Sequence, residues 1–449
     1  MYKLSTATLF TLTSVAAFGA YADNKLEEMV VTSSRLEMPL REVAASISIV
    51  TKEDIELRGF STVANTLRYE PAVSVATNGG VGSATEVRIR GERGFRTKVY
   101  LDGIDLTDTS SPQAGPNFGN LLVGGINRIE ILRGPEGLVY GADAGWNILE
   151  TLRLELVGRN VEGKNDYDYC SLPNFDRSDS CKDEYSMDAG RIALTYQDEA
   201  FTNTVSYSAN NTDRKFYTEG VNDYNYKGEL ERIDYLGSWK NSDTLSLVYG
   251  AELLKESVET DTSEDNRDQS GYFLEAQGSL MENMFVTAGA RYTDNDDFGS
   301  KTTYRVGAVY LQQAGDGELK FKTTYGTGFR APSLSEIAYN ASPDAFAPAK
   351  GSELGAENST GWDAGVGYFS TAGWYVEGVY FDQKVDDEIY YDLVNYSGYL
   401  QGDGESSSSG VEFTAEVPLG DMVTFNGNYT YTDTKDFDGE QRLRTPKNM

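Results

Sequence analysis

The feature that most limits what this 449-residue chain can fold into is a period of two that keeps returning along its second half. Over residues 244–253, Leu245, Leu247, Tyr249, Ala251 and Leu253 share one face, with Ser246, Gly250 and Glu252 on the other. Met284, Val286, Ala288, Ala290 and Tyr292 likewise oppose Phe285, Thr287, Gly289 and Arg291. Tyr304, Val306, Ala308 and Tyr310 repeat the pattern, as do Leu319, Phe321, Thr323 and Tyr325 against Lys320 and Lys322. Near the C-terminus, Val423, Phe425, Gly427, Tyr429 and Tyr431 oppose Thr424, Asn426, Asn428, Thr430 and Thr432. Such alternation belongs to strands with two unlike faces. Each run is about ten residues, the length a tilted strand needs to cross the hydrocarbon layer. Soluble sandwiches and propellers alternate too, but with shorter strands and less tyrosine at strand ends. The 30 tyrosines suit interfacial girdles and the 46 glycines suit bends and turns. Only helices and closed barrels satisfy every backbone donor and acceptor in lipid, so strands without spanning helices point to a transmembrane antiparallel β-barrel.

The N-terminus reads as an export signal over residues 1–22: Lys3, an apolar stretch over 7–20, and the cleavage pattern Ala20-Tyr21-Ala22 before Asp23. The stretch is too short and too rich in Thr and Ser to span a membrane comfortably. Linkers between strands are uneven. Glu282-Asn283 fits a short periplasmic turn, whereas 210–227, 256–269 and 340–358 read as long polar loops on the outer side. Cys170 and Cys181 flank one polar segment, and an even cysteine count in an exported chain reads as one disulfide closing a small loop.

Three segments of the first third carry more specific information. Residues 127–145, NRIEILRGPEGLVYGADAG, place a short strand before Arg133, Gly134 and Pro135, with Tyr140 and Gly141 further on. Upstream lie VRIRG (87–91), with Arg88, Arg90 and Gly91, and VYLDGI (99–104), with Asp102 and Gly103. In this order the segments resemble the plug domain of TonB-dependent outer-membrane receptors. GFRAPSLSEI (328–337), ENSTGWDAGVGY (357–368) and SGVEFTAEV (409–417) resemble recurrent barrel segments of the same family. The resemblance implies a mixed α/β plug inside the lumen of a barrel that has about 22 strands in the family. It divides the chain into a tail at 23–37, a plug at 38–150 and barrel at 151–449. Residues 151–449 supply only about fourteen strands at roughly 20 residues each. The family's usual plug ending after Gly145 and its terminal aromatic strand are not matched. The expectation is therefore an incomplete receptor whose barrel of about fourteen strands stays open.

Glu28-Met29-Val30-Val31-Thr32 resembles the TonB box, the segment by which these receptors are pulled. Its β-branched valines could add a strand to a partner's sheet edge. Arg88, Arg90, Arg96, Glu130 and Arg133 are expected to face barrel carboxylates across a hydrated interface, where each pair contributes little. The resemblance implies TonB and its inner-membrane energising complex as partners, a small metal chelate as ligand, an outer-membrane lipid setting and a monomer.

The chain contains no histidine, which removes Ser-His-Asp triads, His zinc ligands and an imidazole base. GERGFR (91–96) lacks the glycine spacing of a dinucleotide fingerprint. An enzyme is not expected. A net charge of -31 speaks against nucleic-acid binding. No cofactor is required, although Asp166 and Asp168, and Asp294, Asp296 and Asp297, are oxygen-rich candidates for Ca²⁺, against the plainer reading of solvated loops. The expected function is energised import of a ferric siderophore or cobalamin-like chelate. A passive porin, an oligosaccharide receptor and a non-functional truncated receptor are the alternatives.

Overall fold

The computed structural model describes residues 29–30, 38–134, 145–171, 176–242, 244–420, 423–443 and 445–449. The export signal, Glu28, Val31, Thr32, Pro135, Tyr140 and Gly141 lie outside the described residues.

The wall is one 14-stranded sheet in which every neighbouring pair is antiparallel and adjacent strands follow one another along the chain. Its strands are β1 Gly145–Leu149, β2 Leu152–Tyr167, β3 Cys181–Gln197, β4 Phe201–Thr218, β5 Val221–Ser242, β6 Leu245–Thr260 and β7 Glu264–Met281. They continue with β8 Met284–Asn295, β9 Gly299–Ala314, β10 Gly317–Arg330, β11 Glu357–Ser370, β12 Tyr375–Asp386, β13 Glu405–Pro418 and β14 Thr424–Lys435. Among the described residues β1 and β14 are not hydrogen-bonded to each other. Gly145–Leu149, counted with the plug in the sequence, pairs with β2 and so belongs to the wall. On the free side of β14 the chain folds back, with Thr430 exchanging backbone bonds with Met449.

The alternation places an apolar belt outside. Leu156, Ile192, Val205, Ile233, Leu253, Leu274, Val306, Val366 and Phe413 are exposed, and Tyr207, Tyr272, Tyr292, Tyr304, Tyr325, Tyr380 and Tyr431 flank them. The opposite positions, such as Arg232, Glu275, Lys322, Asp363 and Glu412, are buried inside. Two expected loops are not loops. β4 and β5 run through 210–227 to a turn at Glu219 and Gly220, and β6 and β7 run through 256–269 to a turn at 261–263. Above the lipid both faces of a strand meet polar surroundings, so the apolar signal stops while the ladder continues. Glu282-Asn283 is a two-residue turn between β7 and β8.

Residues 38–134 form a separate small body. Ser46–Thr51 pairs with Arg128–Arg133, and Val73–Thr77 with Thr85–Ile89. Helix α1, Lys52–Arg58, starts on a Thr51/Asp54 capping box and stops at left-handed Gly59. It packs with α2, Val63–Leu67, on Val50, Val73, Val87, Phe118 and Ile131. This body bonds to Arg159 on β2, Asn210 on β4, Arg232 on β5, Lys320 on β10, Glu412 on β13 and Thr430 on β14. In a flat sheet β2 and β14 would lie about 58 Å apart. A body of about 100 residues is only roughly 30–35 Å across. The wall therefore curves around the plug.

The belt predicts a depth-dependent cost on a single strand. Leu274→Arg, facing lipid on β7, should lower the stability of the folded wall by about 2–4 kcal/mol, and Asn266→Arg, on the same face above the belt, by only about 0–1 kcal/mol. Equilibrium refolding into lipid vesicles in urea measures both.

Candidate functional site

The centre of the plug–wall boundary is a cluster of two arginines and two carboxylates. Arg90 follows the plug strand Thr85–Ile89, and with Gly91 it makes a turn in which both residues have positive φ, 52° and 75°. Such a conformation is uncommon for a side chain larger than Asn or Asp. It aims the guanidinium at the wall. Nε donates to Glu412 at 2.7 Å and Nη1 to Asp363 at 3.1 Å, while the Phe381 ring lies 4.5 Å away on another side. Arg133, the last residue of its strand, brings Nε to within 3.3 Å of the other Glu412 oxygen. Ser46 and Thr324 donate to Asp363 at 3.2 and 2.9 Å. Burial alone would depress the Arg90 pKa, but Glu412 and Asp363 more than reverse it and raise it. All four ionic side chains are at most 3% exposed. The boundary here is dry, not the hydrated one expected.

Arg96 reaches Glu357, at the start of β11, at 3.0 Å and Glu388, beyond β12, at 3.4 Å. The other two plug charges behave differently: Arg88 bonds Glu86 and the carbonyl of Leu443 rather than a wall carboxylate, and Glu130 takes Arg128 of its own strand. Asp102-Gly103 forms the tip of a hairpin with positive φ at both residues, the twist a two-residue turn favours. Asp102 there meets Arg159 of β2, and a Cβ on Gly103 would lie 2.8 Å from the Arg191 guanidinium. Gly134 also has a positive φ, of 138°. On the same hairpin, Tyr100 accepts from Arg232 at 2.9 Å. Burial would raise the Asp105 pKa, but Lys98, Arg232 and bonds from Thr107 bring it below the usual range.

At the end of the wall carrying the short turns, Met29–Val30 pairs with Met38–Pro39. Val30 is fully buried against Val43 and Ala45, and Arg128 donates to the Met29 carbonyl at 2.6 Å. The expected coupling segment is thus docked on the plug at these two positions. Cys170 and Cys181 form a disulfide at the opposite end.

The expected Ca²⁺ clusters do not form. Among the described residues no group of three or more His, Cys, Asp or Glu side chains could hold a metal ion. Asp166 lies opposite Lys182 in the β2–β3 register, Asp294 pairs along its ladder with Ser300, and Asp297 turns to Arg267 at 3.6 Å. Asp168 and Asp296, on adjoining turns, join no such group either.

Sequence reasoning did not single out Asp363, Glu412, Glu357 or Arg330, although all four stand inside segments already noted. The signal was there: Asp363 and Glu412 are charges at inward positions between outward apolar neighbours. Glu388 and Arg442 sit on connections with no periodic pattern.

The family model described as TonB dependent receptor-like, beta-barrel, matches residues 89–449. The vitamin B12 transporter BtuB of Photobacterium profundum is 24% identical over 498 residues, covering 91% of this chain and 78% of that protein. The crystal structure of the ferripyoverdine receptor of the outer membrane of Pseudomonas aeruginosa superposes with a TM-score of 0.72 at 12% identity, covering 97% of this chain and 77% of that one. For BauA, the ferric preacinetobactin receptor of Acinetobacter baumannii, the TM-score is 0.69 at 13% identity, with 96% and 85% covered.

Two outcomes follow for the ionic boundary. Arg90→Met should destabilise plug docking by about 3–5 kcal/mol, because it leaves buried Asp363 without a cation and Glu412 with Arg133 alone; urea titration of the refolded protein reads this. Burial would raise the Glu388 pKa, but Arg96, Arg442 and Arg93 hold it at about 2, below the ordinary value of 4.5. A carboxylate with a depressed folded pKa stabilises above its unfolded value and loses that contribution on acidification. Near-ultraviolet circular dichroism should therefore stay constant from neutrality to about pH 4.5 and change between there and about pH 2.

Proposed function

The chain belongs to the TonB-dependent receptors, outer-membrane β-barrels that take up nutrients, and we propose that it imports a scarce metal chelate by energised displacement of its plug. The chelate is a ferric siderophore or a cobalamin-like corrinoid, a cargo too large for diffusion through a general pore. The observation that carries this reading is the chemistry of the plug–wall boundary. The plug has its own apolar core, and its main bonds to the wall are ion pairs and hydrogen bonds. Moving such a body exposes polar groups that water can solvate together with two small apolar contacts, Ile104 and Leu106 against Tyr185, Met187 and Ala189, and Ala44 against Val309 and Leu311.

The docked Met29–Val30 strand supports a controlled handle for that movement. Undocking a buried valine costs about 1.5–3 kcal/mol, so Met29–Val30 stays stowed until cargo shifts the balance. Released, its extended backbone can add to the sheet edge of TonB, and hydrogen bonds loaded in shear can carry force to the plug. The related vitamin B12 transporter and ferric-siderophore receptors supply the choice of cargo class.

The test uses a strain lacking its own receptors and expressing this protein. Radiolabelled cyanocobalamin and a panel of ferric siderophores are offered with TonB present or deleted. One chelate should accumulate only when TonB is present. Val30→Pro, which removes a backbone donor, should abolish that accumulation while the purified variant binds the chelate with unchanged Kd. Equal accumulation without TonB, or normal uptake by the variant, overturns the reading.

A further inference from the structure

GERGFR, residues 91–96, fails as a nucleotide fingerprint and plays no part in the steps above, yet it is a densely charged turn at the centre of the plug's contacts. Its glycines explain its position. A Cβ on Gly91 would lie 2.5 Å from the Thr434 methyl on β14, and one on Gly94 would collide with Glu86. The turn is therefore pressed between the wall and its own plug strand, with no cradle left for a phosphate.

Its side chains make a shared network with three other parts of the chain. Arg96 bonds Glu357 through Nε and Nη2 at 3.1 and 3.0 Å, and Glu92 through Nη1 at 3.1 Å. From the wall side, Arg330 grips the same Glu357 at 2.9 and 3.0 Å and reaches Glu336 at 3.0 Å. The Phe95 ring lies between the two cations, 5.1 Å from Arg96 and 4.8 Å from Arg330. Arg93 and Arg442 meet Glu388 at 3.0 and 3.3 Å, and Arg442 returns to Glu92 at 2.8 Å. Four arginines thus balance four glutamates. Glu336, Glu357 and Glu388 are almost wholly buried, so a single missing charge leaves its partner uncompensated.

Glu336 ties this network to the connection that crosses from β10 to β11. It closes a capping box with Ser333 at the start of helix α3, Leu334–Ala341, and accepts from Gln113 of the plug at 3.3 Å. Ser333 Oγ donates to the Pro112 carbonyl at 2.6 Å. Residues 331–356 are in this way held down on the plug turn 107–116, and that turn backs onto Phe95 at Gly115.

We propose that residues 91–96 are a clasp that positions the α3 connection over the plug, with Arg96 and Arg330 as its two positioning residues. Arg90, on the other side of Gly91, holds the buried Asp363–Glu412 pair, so one turn carries both the plug's anchor and that of the α3 connection. Displacing the plug then opens the connection in the same event. The consequence for import rests on the proposed function, but the clasp itself is tested without cargo or TonB.

Hydrogen–deuterium exchange of the full-length protein in detergent micelles supplies that test. In R96Q, residues 333–356 should exchange about tenfold faster, while the plug sheet at 46–51 and 128–133 keeps its wild-type rate. R330Q, on the wall, should give the same pattern. R96Q/E357Q removes opposite charges together and should return exchange to within about threefold of wild type. Unchanged exchange at 333–356 in both single variants overturns the clasp. So does equal acceleration in the plug sheet, which would mean these residues only maintain the plug's fold, or a double variant faster than either single one.

Discussion

The structure depends on one constraint: charges that could not survive in lipid must be satisfied inside the wall, and the plug supplies their partners. Asp363 and Glu412 point inward from β11 and β13, and Arg90 and Arg133 reach them from two different plug strands. Buried together, neither set of charges is tolerable without the other. An isolated ionised group away from water costs several kcal/mol even after relaxation, and pairing recovers it only when geometry and further hydrogen bonds are good. Ser46, Thr324 and the positive-φ turn at Arg90 provide that geometry. The pairing is therefore specific more than strong, and it fixes where the plug sits in the lumen.

The same period of two that keeps the outside apolar delivers these charges to the inside. On β11, Trp362 and Ala364 face out while Asp363 faces in; on β13, Val411 and Phe413 face out while Glu412 faces in. A slip of one residue would put every charge into lipid and every apolar side chain against the plug. Lipid and plug thus select the same register from opposite faces.

Strand identity was legible from the sequence wherever lipid imposes contrast between the faces, as in residues 284–292 and 424–432. It was lost above the belt. In 210–227 both faces carry polar residues, so nothing in the pattern separates a projecting hairpin from a loop, and only the backbone ladder does. Arg90 and Arg133 were legible because each stands at the end of a short plug strand beside a glycine, and Arg96 because it closes the charged turn that follows. Their distance from solvent was not, because burial depends on what the wall brings up. Glu388 and Arg442 were invisible for a related reason: they act from connections, where position is set by folding rather than by period. The acidic pairs read as Ca²⁺ candidates gather no third carboxylate among the described residues, and Asp297 turns to Arg267, distant in sequence.

The arrangement also bears on why the proposed movement of the plug would be all-or-none. The strand Met29–Val30, proposed above as the handle, packs beside Ser46–Thr51 through Val43, Ala45 and Ile47. That strand is hydrogen-bonded along its whole length to Arg128–Arg133, which ends in Arg133 at the buried cluster. Glu412 joins Arg133 to Arg90, and Arg90 leads directly into the 91–96 turn. Beyond the apolar contact at Val30, the links are a β-ladder and buried charges, and both resist partial opening, since a half-broken buried pair leaves its most costly state. Force applied near residue 30 therefore meets a series of stiff elements that release together or not at all.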